Sequence, residues 1–130
     1  MLGVALPVAS ASATQYALPQ PKTENGITYV SGGIGEDEAK AMRGEAKHFP
    51  LGLVFSANKD NEYLADVHVT IEDKAGNEVL STISDGPIML LKIPAGRYTI
   101  EAEVDGKTLR RTVQIQANED RQIFFHWPSI

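Results

Sequence analysis

Residues 97–116 read RYTIEAEVDGKTLRRTVQIQ, and this stretch decides the fold class. Tyr98, Ile100, Ala102 and Val104 alternate with Thr99, Glu101 and Glu103, so one face of the segment is apolar and the other polar. That period of two is the mark of a half-buried strand. Asp105-Gly106 follows, the strongest hairpin signal in the chain, because a type I′ turn needs positive φ at both central residues. Lys107 to Gln116 then pairs back. Within it Leu109, Val113 and Ile115 share a phase with Arg111. Two explanations fit: a bulge at Arg110-Arg111 resets the register, or Arg111 stands at the end of the sandwich and snorkels outward.

The same grammar extends in both directions. Upstream, Pro94-Ala95-Gly96 is a tight turn that follows a strand at Ile88–Ile93. Ser84 to Pro87 is a turn after a strand at Val79–Ile83, and Lys74 to Asn77 is a turn after Ala65–Asp73. In that last strand Val67, Val69 and Ile71 alternate with His68, Thr70 and Glu72. A polar loop at Asn58–Glu62 precedes it, and Leu51–Ala57 is the strand before the loop. Downstream, Arg121–Trp127 closes the series. Seven strands with turns every eight to twelve residues and no helix between them predict a mainly β fold. The expectation is a seven-stranded antiparallel β-sandwich of prealbumin-like or Ig-like type. Parallel pairing is not expected, because it requires long crossovers.

Before Leu51 the chain changes character. Ile27–Val30 is a short strand, and Ser31 to Gly35 (SGGIG) is a turn. Glu36–His48 predicts the only helix: Glu36, Asp37 and Glu38 crowd its first turn, where the helix dipole favours anions. Ala39, Met42, Ala46 and Phe49 form its apolar stripe, and Pro50 stops it. Residues 14–26 contain Pro19 and Pro21 without a period and read as an extended arm. Residues 1–13, MLGVALPVASASA, are apolar and small and end in Ala11-Ser12-Ala13. They read as the remnant of a secretory signal peptide without its basic n-region, and place the protein in the periplasm or outside the cell. Residues 27–130 form one domain.

Composition narrows the functions. With 130 residues and a net charge of −5, the chain lacks the clustered cations that grip nucleic acid or anionic lipid. It has no cysteine, so disulfides, thiolate metal sites and cysteine nucleophiles are excluded. Catalytic motifs are absent as well: no serine lies in a G-x-S-x-G elbow. SGGIG lacks the G-K-[ST] of a phosphate loop, and the acidic triplet behind it repels phosphate. His48, His68 and His126 have no metal-ligand spacing, although His68 and His126 would meet if their strands were neighbours. Asn58, Asp60 and Glu62 alternate in a loop but lack the glycine and the final glutamate of a calcium loop. No cofactor or catalytic residue is assigned.

Two strands break the alternation. Ile88 to Leu91 is apolar on both faces, and so is Ile123 to Phe125. If Met89, Leu91 and Ile93 face the core, Ile88 and Leu90 point outward; if Ile123, Phe125 and Trp127 face it, Phe124 points outward too. Leu80 and Val54 join this set on the phase opposite Val79 and Phe55. A patch of Ile88, Leu90, Phe124 and Leu80 needs a cover. The helix stripe is the expected one, which packs the helix on the outer face of a sheet; burial of Leu90 beneath it contributes about 1.5–3 kcal/mol. Whatever the helix leaves bare is the candidate surface for a partner.

Leu64 to Val69, Asp73 to Gly76, Asp85-Gly86 and above all Leu91-Lys92-Ile93-Pro94-Ala95-Gly96-Arg97-Tyr98-Thr99-Ile100 resemble the carboxypeptidase regulatory-like, or transthyretin-like, β-sandwich superfamily. The resemblance spans Tyr63 to about Ile115. It implies a sandwich in which the Pro-Gly turn redirects a strand and the tyrosine packs inward, and an accessory or binding role beside other proteins. Transthyretin-like hydrolases end in a tyrosine-arginine-glycine-serine tail, whereas this chain ends His126-Trp127-Pro128-Ser129-Ile130. The leading expectation is therefore a non-enzymatic exported module that contacts a protein or cell-envelope component. The alternatives are a small hydrolase using His68 or His126 with Arg97 or Arg110, and a carrier of a metal or small ligand.

Overall fold

Alternating apolar residues build two facing sheets. The computed structural model describes residues 18–130; the signal-peptide reading of residues 1–13 and the first part of the arm lie outside them. The elements are β1 (Lys22–Glu24), β2 (Ile27–Gly32), α1 (Glu36–Glu45) continuing into a 3-10 turn (Ala46–His48), β3 (Leu51–Ala57), β4 (Glu62–Tyr63), β5 (Val67–Asp73), β6 (Glu78–Ser84), β7 (Ile88–Lys92), β8 (Gly96–Val104), β9 (Lys107–Ile115) and β10 (Arg121–Trp127). One sheet has six strands in the order β1-β2-β7-β3-β10, with β4 beside β3; the other has four in the order β6-β5-β8-β9.

The inward residues of both sheets share one core, in which Phe55, Phe125, Trp127, Leu53, Met89, Ile71 and Ile100 are fully buried. Phe55 and Phe125 stack with ring centroids 5.9 Å apart, and Trp127 tilts against both. The Asp105-Gly106 turn has φ of 51° and 75°, as a two-residue primed hairpin requires, and Val104 faces Lys107 across it. Tyr98 packs inward and its hydroxyl donates to the Pro94 carbonyl at 2.9 Å, so the side chain ties down the turn that redirects the strand.

Four expectations need correction. Ten strands are present among the described residues rather than seven: the short strand expected at Ile27–Val30 joins the sandwich as β2, β4 forms in the loop after β3, and β1 forms within the supposed arm. The sandwich is not wholly antiparallel: β10 runs parallel to β3, with Phe124 opposite Val54 and Trp127 opposite Ala57. The crossover that such a pair requires is supplied by the intervening strands themselves, so no helix was needed. Leu80 does not join the outer patch. It is 0% exposed in the core between the sheets and stands opposite Ile71. Leu80 pairs directly with the inward Ile71, and the register irregularity that follows skips Val79, which is half-buried against the same core, so Leu80 points in while Ile83 points out. Finally, β9 carries no bulge; its register against β8 is continuous and puts Arg111 opposite the core residue Ile100. Arg111 reaches outward at the open flank, donates to the Phe124 carbonyl at 3.2 Å and stands 5.5 Å from the Phe125 ring centroid.

Both flanks where the sheets approach each other are tied by side chains. On one, Glu24 accepts from Ser81 N–H at 3.1 Å and Asn25 donates to Val79 O at 3.0 Å. On the other, Trp127 donates to Lys107 O at 3.0 Å and Arg121 to Gln114 O at 3.4 Å. These bonds occupy Ser81 N–H and Val79 O on the edge strand β6 and Lys107 O and Gln114 O on the edge strand β9.

Candidate functional site: a groove beside the helix

The outer face of the six-stranded sheet is apolar in two rows set by register. Val30, Leu90, Gly52 and Gln122 stand in line across β2, β7, β3 and β10; Gly32, Ile88, Val54 and Phe124 form the next row. The helix covers one end of these rows. Met42, Ala46 and Phe49 bury Val30, Ile88 and Leu90 in a second apolar cluster, with Leu90 only 1% exposed. Lys92 stands 5.4 Å above the Phe49 ring and closes that cluster at its lower edge. The expected cover for Ile88 and Leu90 is thus present within the chain.

The cover stops at β3. Gly52 has no side chain, Val54 is half-buried, and beyond them Phe124 is 58% exposed and Tyr63 66% exposed. The result is a groove of about 330 Å³ between the helical segment (Ala39 and Arg43 of α1, Ala46 of the 3-10 turn) and the two exposed aromatic rings. Its floor is Gly52 and Val54, and Gln122 lines it beside Phe124. A Cβ on Gly52 would stand 3.3 Å from Leu90 Cδ2, so glycine lets β3 lie close under the neighbouring leucine. A lone glycine inside the LGLVFSA strand was the signal in the sequence that could have marked this spot.

One row beyond Val54 and Phe124, Ser56 and His126 form a pair across β3 and β10, with Oγ and Nδ1 3.0 Å apart. Among the described residues no carboxylate bonds the second ring nitrogen. His68 lies elsewhere, on β5 of the other sheet, bonded to Ser81 at 3.1 Å. His68 and His126 therefore do not meet. Arg97 and Arg110 also belong to the four-stranded sheet, where Arg110 pairs with Glu101 across β8 and β9. Among the described residues no three of histidine, aspartate and glutamate are grouped to hold a metal.

The remaining candidates are accounted for locally. Asn58, at φ 63°, donates to Glu62 and accepts from Ile130 N–H, so the Asn58–Glu62 loop is held by its own polar groups. In the SGGIG turn, Glu38 accepts from Gly33 N–H at 2.8 Å and Ser31 accepts from Asp85 N–H at 3.0 Å. The helix's own carboxylate thus sits where a phosphate would have to bind. A shallow depression by the Pro94 turn is lined by Asp73, Arg97 and Tyr98. Asp73 there accepts from the backbone N–H groups of Asn77 and Ala75, each at 2.9 Å, and those bonds, the Asn77 one foremost, hold its carboxyl below the usual aspartate range. Burial, together with the nearby Asp73 charge, pushes the Tyr98 phenol up.

No helix among the described residues is long and apolar enough to cross a membrane. No curated protein matches the chain. Residues 50–125, from the start of β3 to Phe125 in β10, match the Rhizobiales growth-associated tandem repeat domain. The match takes in the whole four-stranded sheet and leaves out β1, β2 and α1. It covers more than half of the sequence, and the chain belongs to the family of the Rhizobiales growth-associated tandem repeat domain.

Proposed function

We propose that this protein is a non-enzymatic, exported accessory module that docks a protein or cell-envelope component in the groove beside α1. One observation carries the reading: the outer face of the six-stranded sheet is apolar, but the helix covers only the part over β2 and β7, leaving Phe124 and Tyr63 exposed along the rest. Uncovered aromatic residues beside a concavity are typical of binding surfaces. The blunted flanks make strand addition there a poorer route. The apolar outward residues Ile88, Leu90 and Phe124 all lie within the matched repeat unit, whereas α1 lies before it. A unit with such a face depends on flanking sequence or neighbours to cover it, as repeat units generally do. The apolar, small-residue reading of residues 1–13 supports an exported location. The likeness to regulatory-like sandwiches of transthyretin type, with Tyr98 tied to the Pro94 turn, supports an accessory role. The scatter of His68, His126, Arg97 and Arg110 over two sheets favours docking over hydrolysis.

The test places a photoreactive residue at Phe124 and, as a control, at Thr112 on the outer face of the four-stranded sheet. Irradiation in the native envelope fraction should give an adduct from position 124 and none from position 112. Equal labelling from both positions, or none from either, would discard the groove as the contact.

A further inference from the structure

We propose that the groove takes a free single-chain amphiphile with a carboxylate head: the alkyl chain lies over Gly52 and Val54, and the head group rests on Arg43. This rests on the reading of the groove as the binding surface, and names its ligand class. Three observations lead there. The first is size. At about 330 Å³ the groove is at the small end of the roughly 300–1,000 Å³ range of small-molecule sites, which suits one alkyl chain rather than a two-chain lipid. The space exists because the residues along it are small: Gly52 on the floor, Ala39 and Ala46 on the helix wall.

The second is the pattern of the lining. Phe124, Tyr63, Val54 and the two alanines are apolar or aromatic, and the charged group among the lining residues is Arg43. Apolar walls with few placed polar groups are what amphiphile recognition requires. The third is charge. The chain carries −5 overall, yet Lys40, Arg43 and Lys47 recur at i, i+3 and i+7 on one stripe of the helical segment, and Arg43 of these lines the groove. All three are exposed, and among the described residues Arg43 makes no ion pair. Three of the four acids of the helix, Glu36, Asp37 and Glu38, gather instead in its first turn, and the fourth, Glu45, ends it without pairing to Arg43. A guanidinium presents paired donors that match a carboxylate, and Gln122 adds an amide on the opposite wall.

Calorimetric titration of the full chain with decanoate, below the concentration at which it forms micelles, tests this. The expected result is saturable binding at one site, weakened as salt is raised. Decan-1-ol, which has the same chain without the charge, should bind roughly fivefold more weakly, and Arg43→Gln should remove that difference, since an exposed ion pair is worth about 1 kcal/mol or less. Phe124→Ala should weaken both ligands. Thermal melting of each variant checks that it is folded, which is expected because both side chains are exposed. Failure of decanoate to saturate, equal affinity of the Arg43→Gln variant and the parent for it, or binding to anionic vesicles alone would each overturn the assignment. If decanoate fails while the Phe124 probe still captures an envelope component, the amphiphile falls and the docking surface stands. If decanoate titrates with the expected Arg43 dependence while the probe captures nothing, the amphiphile stands and the macromolecular partner falls.

Discussion

The two sheets are pleated alike, yet their outer faces are opposites. On the four-stranded sheet the outward positions are Arg97, Thr99, Glu101 and Glu103 on β8, facing Gln114, Thr112, Arg110 and Thr108 on β9. Glu101 and Arg110 pair as opposite charges, the other positions are polar or charged, and the face meets water unaided. On the six-stranded sheet the outward positions are Val30, Leu90, Ile88, Val54 and Phe124, and they require a helix. One pleat alternates apolar with polar and so defines a surface; the other is apolar on both sides and so defines a middle layer. The functional candidate lies where that middle layer outruns its cover.

The most severe way to break this contrast is to put a carboxylate under the helix. Leu90→Asp should lower the stability of the full chain by more than the about 2–5 kcal/mol of a buried Leu→Ala change, because an unpaired charge would be desolvated as well. Gln114→Glu, which places a carboxylate opposite Arg97 on the other face, should stay within about 0.5 kcal/mol. Denaturant midpoints decide it: an unchanged midpoint for Leu90→Asp would mean that the helix does not seal this face.

An intermediate effect is expected where the two sheets share a turn. Tyr98→Phe removes the hydrogen bond to Pro94 and should cost about 1 kcal/mol at neutral pH. The effect has a pH signature. The folded phenol ionises above its ordinary range, so its contribution is complete below about pH 10 and is lost as pH rises through the folded value. Parent and variant should therefore converge at high pH, and parallel alkaline limbs would contradict the burial of Tyr98. Asp73 works in the opposite sense: its lowered carboxyl favours the fold above the ordinary aspartate range and ceases to do so as the solution is acidified.

The smallest effect should come from the polar face. Arg110→Ala removes the pair with Glu101, which is exposed on the arginine side. A loss of about 0.5 kcal/mol that vanishes at high salt is expected. A larger, salt-insensitive loss in urea titrations would show that this face is held by more than screened surface charge.

Local chemistry determined most of the architecture. Asp105-Gly106 set a hairpin and its register, Pro50 ended the helical segment, and the period of two placed Val67, Val69 and Ile71 inside, because each of these depends on neighbours a few residues away. The doubled apolar runs at Ile88–Leu91 and Ile123–Phe125 already implied an outer layer, and the stripe at Ala39, Met42, Ala46 and Phe49 implied what would cover it. Three things depended on the tertiary structure. The phase of β6 turned on which of its residues stands opposite Ile71, and Leu80 does, so it went to the core. The parallel union of β3 with β10 joined residues 70 apart and brought Ser56 to His126 and Val54 to Phe124. The limit of the helical cover, and with it the groove, followed from where α1 comes to rest across the sheet. A period says which side of a strand is apolar, but which strands become neighbours, and how far a helix reaches across them, is settled only when distant segments compete for the same surface.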